Sequence, residues 1–343
     1  FLGAEKSGNH PDQLIFTSGG TESNNLAISG LAHQPDGSLP PTPRVLISAI
    51  EHPSVSAAAE QLMRQGFAVE KIAVDRNGVV RLDDLVEKLR DPTRLVSVML
   101  ANNETGVIQP VGEIAKLSRA AGALVHCDAV QAVGKMAVDF AQLAVDAMTL
   151  TAHKFHGPRG IGGLVCRHAV RPFPIMFGGF QQMGFRPGTE DVVLAAGFRK
   201  ALEIHHSEAE NRENRLRRVR DRLQQLLCER CQQVFVVGKD SFRAPHTLNV
   251  AFAGVDRQQL LMASDLAGLA ISTGSACASG SSEPSPVLQA MGLEKEIVEG
   301  SVRLSLSVHT TDREIELAAD RIVKIINDLR RRKTGRFEVT RAR

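Results

Sequence analysis

Apolar runs at Val45–Ala49, Ala68–Val74, Leu95–Leu100, Leu124–His126 and Ala147–Leu150 alternate with stretches of helical periodicity at Val55–Gln65, Leu82–Leu89 and Ile114–Ala123. Short β-like runs separated by amphipathic helices predict an α/β fold, a mostly parallel sheet covered by helices, with ligands gathered at the carboxyl ends of the strands. From about Glu203 the pattern changes to a long charged helix, and Val234–Val237, Thr247–Phe252 and Arg303–Ser307 then read as strands. The chain therefore divides into a large domain over 1–205 and a smaller C-terminal α+β domain over 206–343. The segments 35–44 and 272–285 read as loops, and no internal repeat is present.

A length of 343 residues is sufficient for two separate cores. The net charge of +3 is too small to argue for nucleic acid. No window is apolar enough for a membrane span, and no signal-peptide pattern opens the chain. Five cysteines spread through a β/α pattern fit a reducing compartment, the cytoplasm or an organelle stroma or matrix, better than a disulfide framework.

Chemistry concentrates where the apolar runs end. Asp146–Leu150 breaks into Thr151-Ala152-His153-Lys154-Phe155-His156-Gly157, and a lysine placed there beside an imidazole is expected to be poorly solvated, neutral and nucleophilic, as Schiff-base chemistry requires. Val125-His126-Cys127 ends in Asp128, a carboxylate suited to a pyridinium nitrogen, and Gln131 is spaced to reach a phenolic oxygen on the same ring. Leu14-Ile15-Phe16 passes through Thr17-Ser18-Gly19-Gly20-Thr21 into a helix, a cradle in which glycines, Thr21 and helical N–H groups meet a phosphate. The Gly-Lys-Ser/Thr of a nucleotide loop is missing, so the phosphate belongs to a cofactor.

Taken in order, Phe16–Asn25, Glu51-His52-Pro53, Asn102–Gly106, Asp128 with Gln131, His153-Lys154, Arg186–Thr189, Ser275-Ala276-Cys277 and Arg303-Leu304-Ser305 resemble the NifS/IscS-like cysteine desulfurases, class V aminotransferases among the fold-type I pyridoxal-phosphate enzymes. The resemblance runs over nearly the whole chain. It implies the pyridoxal-phosphate transferase fold, with Lys154 joined to pyridoxal 5'-phosphate as a Schiff base and His52 over the cofactor ring. Gly20, Thr21, Glu22, Thr151 and His153 would lie about the phosphate, Asn103 would contact cofactor or substrate, and Arg303 would bind the substrate carboxylate. Thr189 would reach the phosphate of a neighbouring subunit in a homodimer. The resemblance also implies a further N-terminal segment, which this sequence, opening at Phe1 just ahead of the phosphate strand, is expected to lack. Two positions depart from the pattern: Gln182, where glutamate is common, and Ser307-Val308, where Gly-Arg often follows.

The sulfur chemistry is signalled by Ile271–Ser285, a run of small polar residues around Cys277. Such a backbone lets a thiol serve both a substrate and an outside acceptor. The expected reaction converts L-cysteine to L-alanine with a persulfide on Cys277, for delivery to an acceptor protein in iron–sulfur cluster assembly or tRNA thiolation. Cys127 and Cys166 read as core, and Cys228 and Cys231 as a helix surface; no metal set is expected. A selenocysteine lyase, another pyridoxal-phosphate lyase or an aminotransferase would share the cofactor site, and a scaffold or sulfur-carrier partner would lack the cofactor altogether.

Overall fold

The computed structural model describes residues 1–5, 11–274 and 283–341, with 333–341 described by backbone alone. Two compact units divide the chain: Phe1–Asp75, Val79–Asn102 and Ile108–Glu210 form the first, and Arg76–Gly78, Asn103–Val107 and Asn211–Arg343 the second.

The first unit runs β1 (Gln13–Thr17), α1 (Gly20–Ala32), β2 (Arg44–Ser48), α2 (Pro53–Arg64), β3 (Ala68–Ile72), α3 (Leu82–Lys88), β4 (Leu95–Ser97), α4 (Val111–Ala120), β5 (Leu124–Asp128), α5 (Phe140–Leu143), β6 (Ala147–Thr151) and β7 (Gly162–Cys166). Its seven strands form one sheet in the order β1-β7-β6-β5-β4-β2-β3. The pairs β2/β3, β2/β4, β4/β5 and β5/β6 are parallel, whereas β7 is antiparallel to both β6 and β1. This is the mostly parallel sheet expected from the alternation of apolar runs and helices, made mixed by β7. Its central strands are buried along nearly their whole length, and their polar residues, Ser48, Ser97, His126, Asp128, Thr149 and Thr151, are buried with them. The core joins Leu26, Ile28 and Leu31 of α1 to Val55 and Leu62 of α2 and to Val45, Ile47 and Leu164 of the sheet.

Helix α6 (Val192–Arg230) begins in the first unit and ends in the second. It starts well before Glu203, because its first turns are apolar and only its later turns carry the charge that marks it in the sequence. The second unit continues with β8 (Val234–Val236), β9 (Thr247–Phe252), α7 (Arg257–Leu266), α8 (Pro286–Ala290), α9 (Lys295–Gly300), β10 (Ser301–Ser305) and α10 (Asp312–Arg341). Its three strands form an antiparallel sheet in the order β10-β9-β8. Leu248, Val250 and Phe252 of β9 pack with Leu223 and Leu227 of α6 and with Ile315, Ile322 and Ile326 of α10. Among the described residues no helix is long and apolar enough to cross a membrane.

Candidate active site

In the first unit the informative residues stand where strands end, as the sequence suggested. Asp128 closes β5 and is buried. Its Oδ2 accepts from Asn24 Nδ2 at 2.7 Å and its Oδ1 from the Val130 N–H at 2.9 Å. Burial pushes this carboxyl above the ordinary aspartate range, against the pull of those two bonds and of the His52 and Lys154 charges. Asn24 also donates to Ser54 Oγ at 2.8 Å, and Ser54 in turn meets His52 Nδ1, its Oγ at 2.8 Å and its N–H at 3.1 Å. A continuous chain, Asp128–Asn24–Ser54–His52, thus links the buried acid to the imidazole. Since Nδ1 accepts the Ser54 N–H, a neutral ring carries its proton on Nε2. Burial lowers the His52 pKa, Lys154 adds to that, and Asp128 opposes it.

His52 is held in place by Pro53 behind it: as the N-cap of α2 it takes an extended backbone, which the following proline favours. Glu51 is buried, accepts from the Met99 N–H at 2.8 Å and has a pKa raised well above the glutamate range, chiefly by burial.

Lys154 lies in a 3-10 turn, Ala152–Phe155, that leaves β6 and closes on His156 in the left-handed region. It is exposed, as is His153, so the desolvation expected from the sequence is not provided by the chain. The reason is the turn itself, which follows the end of β6 and buries Ala152 and Phe155 while leaving both residues exposed. The buried lysine effect falls on a residue the sequence reading passed over. Half-buried Lys135 is pushed down to about 7 by burial, with the Lys154 charge adding to the shift. His153 is lowered by partial cover of its ring and by Lys154, Lys135 and Arg159.

The phosphate-cradle residues converge. A Cβ on Gly20 would lie 3.0 Å from Val130 Cγ2 and 3.6 Å from Thr151 Cγ2, which places the start of α1 against the residues after β5 and at the end of β6. A Cβ on Gly162 would lie 2.5 Å from the carbonyl carbon of Gly19, so β7 also closes on this loop. No side chain caps α1, which leaves its first N–H groups as anion donors beside exposed Thr21. Thr151 Oγ1 donates to Ile161 O at 3.0 Å and lies 3.2 Å from His153 Nδ1. Glu22 turns to Arg186 at 2.9 Å and to the Ser18 N–H at 2.7 Å. Burial opposes its ionisation, but these bonds outweigh burial and hold the carboxyl below its usual range. Gln182, at the departure from the family pattern, brackets the Phe16 backbone, accepting from its N–H at 2.6 Å and donating to its carbonyl at 2.9 Å. Gln131 is half-buried just after β5, and Thr189 is exposed.

In the second unit, Arg303 on β10 donates to the Asn103 carbonyl at 2.8 Å. The buried Oδ1 of Asn103 has no hydrogen-bond partner among the described residues. Cys277 lies outside the described residues. Cys127 and Cys166 are buried, and burial raises the Cys166 thiol to about 12. Cys228 is exposed, but Cys231 is buried in the second core rather than on the helix surface that was expected. Among the described residues no cluster of three or more metal-ligating side chains occurs.

Comparison with known proteins follows this geometry. The aminotransferase class-V family model matches residues 5–317. A protein named cysteine desulfurase IscS from Dictyoglomus turgidum is 39% identical over 327 residues, covering 95% of this chain and 82% of the relative. The solved NifS-like protein from Rickettsia africae superposes with a TM-score of 0.82 at 30% identity, covering 92% of this chain and 82% of that one. A structure described as SspA in complex with cysteine superposes with a TM-score of 0.69 at 28% identity, covering 87% and 82% of the two chains.

Proposed function

We propose a reaction from one premise: the chain belongs to the aminotransferase class-V family. Within it the chain is a cysteine desulfurase, the activity named for its relatives. L-Cysteine gives L-alanine, and the sulfur passes to Cys277 as a persulfide. The observation that carries this reading is the buried Asp128 carboxyl at the end of β5, hydrogen-bonded through Asn24 and Ser54 to His52 and within electrostatic reach of Lys154.

The residues present fit pyridoxal 5'-phosphate. The uncapped start of α1, Thr21, Thr151 and His153 suit its phosphate, Asp128 its ring nitrogen, Gln131 its phenolic oxygen, His52 its face and Lys154 its aldehyde. When bound, the cofactor supplies the electron sink that the protein side chains lack. The remaining work belongs to the chain. Arg303 binds the substrate carboxylate through a charge-assisted pair, and Asn103 Oδ1 gains a polar partner. Lys154 takes the α-proton as its amine, and His52, neutral and protonated at Nε2, is the second group able to move a proton. The Cys277 thiolate attacks the substrate sulfur, the carbon–sulfur bond breaks, and the carbon keeps the electron pair and takes a proton. Cysteine and one thiol thus become alanine and one persulfide, with no outside oxidant. The acceptor is a sulfur-carrying partner protein, and the chain works as a homodimer in which Thr189 serves the neighbouring subunit.

The test is chemical trapping. Borohydride reduction of the protein incubated with pyridoxal phosphate should fix the label on Lys154, and L-cysteine turnover should release alanine rather than pyruvate. Label on Lys135, whose depressed pKa makes it the competing amine, or pyruvate as the product, would refute the assignment.

A further inference from the structure

A second buried carboxyl in the first unit stands next to His52 in the chain and joins two segments of the proposed ring site. β2 ends at Ser48, and the connection 49–52 is held to the segment 98–102, which follows β4, by two bonds: Asn102 Nδ2 donates to Ile50 O at 3.0 Å, and the Met99 N–H donates to Glu51 Oε1 at 2.8 Å. On either side of Met99 the same segment is bonded to β5, the Val98 N–H donating to His126 O at 3.1 Å and the Leu100 N–H to Asp128 O at 2.9 Å. Glu51 therefore connects to Asp128 through Met99 and Leu100, and to His52 through one peptide bond. The two carboxyls differ in what surrounds them. Asp128 receives donors from Asn24 and Val130 and feels the charges of His52 and Lys154. Glu51 receives the Met99 N–H and the Ser48 side chain, and its buried Oε2 has no hydrogen-bond partner among the described residues. The titratable groups acting with it are Asp128 and the Cys127 thiol, both on β5, and no cation is among them. A bare carboxylate oxygen with neither donor nor counter-ion is costly inside a protein, and a proton there removes the cost. Burial accordingly raises both acids, Glu51 well above the glutamate range.

We infer that Glu51 is a positioning residue for the cofactor ring, an uncharged strut that ties the His52 connection to the strand end carrying Asp128; the inference rests on the pyridoxal-phosphate reading. An ionised Glu51 would face Asp128 as a like charge. A neutral one leaves Asp128 to carry the charge that pairs with a protonated ring nitrogen. The strut also keeps in fixed relation two groups that come to one ring from different elements, His52 from the N-cap of α2 and Asp128 from the end of β5. A misplacement of about 1 Å is enough to cost a reaction roughly a hundredfold. Glu51 touches no reacting atom on this account.

The experiment uses the full chain, with and without pyridoxal phosphate, and compares the parent with Glu51→Gln, Glu51→Ala and Glu51→Asp. Gln keeps an oxygen for the Met99 N–H and carries no charge, whereas Ala removes the contact and Asp is one methylene short of it. In the loaded protein Glu51→Ala and Glu51→Asp should each lower kcat for alanine formation by about tenfold or more with KM within about threefold, and Gln should recover most of the rate. The visible circular dichroism of the bound cofactor reports how the ring is held and needs no turnover. It should weaken by about twofold or more in Ala and Asp and keep the parent value in Gln. Without cofactor, the urea midpoint tests the charge. A carboxyl raised on folding loses stability as pH rises from the ordinary value of 4.5 toward its folded value, and an amide does not. The midpoint of Glu51→Gln should therefore exceed the parent's by a margin that widens from about pH 5 to about pH 8. A margin that stays level or narrows places a charge on Glu51 and overturns the inference, and so does a Gln variant as slow as Ala. If Glu51→Ala does not fold, Glu51→Asp and Glu51→Gln decide the question. A parent that makes alanine, matched in kcat and dichroism by the Ala or Asp variant, overturns the inference alone; a parent that takes up no pyridoxal phosphate refutes the reading beneath it and removes this role from Glu51.

Discussion

The Asp128–Asn24–Ser54–His52 chain makes Asn24 the pivot of the site, since one amide donates to both the acid and the serine. Asn24→Ala should destabilise the protein by about 1–3 kcal/mol in urea unfolding, because two buried acceptors lose a donor together. Lys135 gives the clearest pH signature. Its folded pKa of about 7 lies below the ordinary lysine value of 10.5, so between those limits the unfolded chain binds more protons and stability rises with pH. Lys135→Met should therefore be the more stable protein at pH 6–7, by about 4–5 kcal/mol at roughly 1.4 kcal/mol per pKa unit between about 7 and 10.5, with the difference vanishing near pH 10.5. Parallel pH curves for the two proteins would refute it. Asp128, His52 and Lys154 were legible in the sequence because each follows an apolar run that fixes it at a strand end or a helix cap. Asn24 stands inside the Phe16–Asn25 motif and Ser54 directly after Glu51-His52-Pro53, yet which way a polar residue in a helix's early turns faces is decided by packing. The solvation of Lys154 was misjudged for the same reason, and Lys135, next to Gly134, reads in sequence as an ordinary turn lysine.

Among the elements, the β1–α1 connection is defined by how closely its neighbours approach. Gly162→Ala sets a methyl 2.5 Å from the Gly19 carbonyl carbon, and backbone on both sides must move. A loss of about 1–3 kcal/mol is expected, together with weaker retention of pyridoxal phosphate on dialysis, because the displaced loop is the proposed phosphate cradle. Gly112→Ala is the contrast: it lies in α4 with only Gln142 O near, at 4.0 Å, and should gain about 0.5–1 kcal/mol from helix propensity. Thermal melts of the two variants should move in opposite directions. The alternation of apolar runs and amphipathic stretches was enough to locate β2 to β6 and the helices α2, α3 and α4, since strands buried on both faces read as mainly apolar runs, but it did not show the single-turn α5 between β5 and β6. It did not reveal that β7 runs against its neighbours, because direction within a sheet depends on the length of a connection and not on periodicity. Nor did it reveal that Asn103–Val107 belongs with the second unit, a matter of long-range contact that a local pattern does not encode.

At the scale of the whole molecule, the first unit leaves several large apolar side chains exposed within residues 176–193. Phe177 is 74% exposed, Phe180 87%, Val192 74% and Val193 81%, and Met176, Met183 and Thr189 are exposed in the same stretch of chain. In the proposed homodimer these side chains would be covered, and burying four of them would stabilise association by about 1.5–3 kcal/mol each before the entropy of association is subtracted. A homodimer built on these side chains brings Thr189 to the partner, which is the role proposed for it. Phe180→Glu with Val193→Glu should then yield a monomer by light scattering, because a symmetric contact would have to bury four added carboxylates. If Thr189 completes the partner's phosphate site, that monomer should also lose pyridoxal phosphate on dialysis, whereas Thr189→Ala should stay dimeric and bind the cofactor about tenfold more weakly, the loss of one charge-assisted hydrogen bond. A monomeric variant that keeps the cofactor as tightly as the parent would separate the two ideas, leaving these side chains as an interface and removing Thr189 from the site.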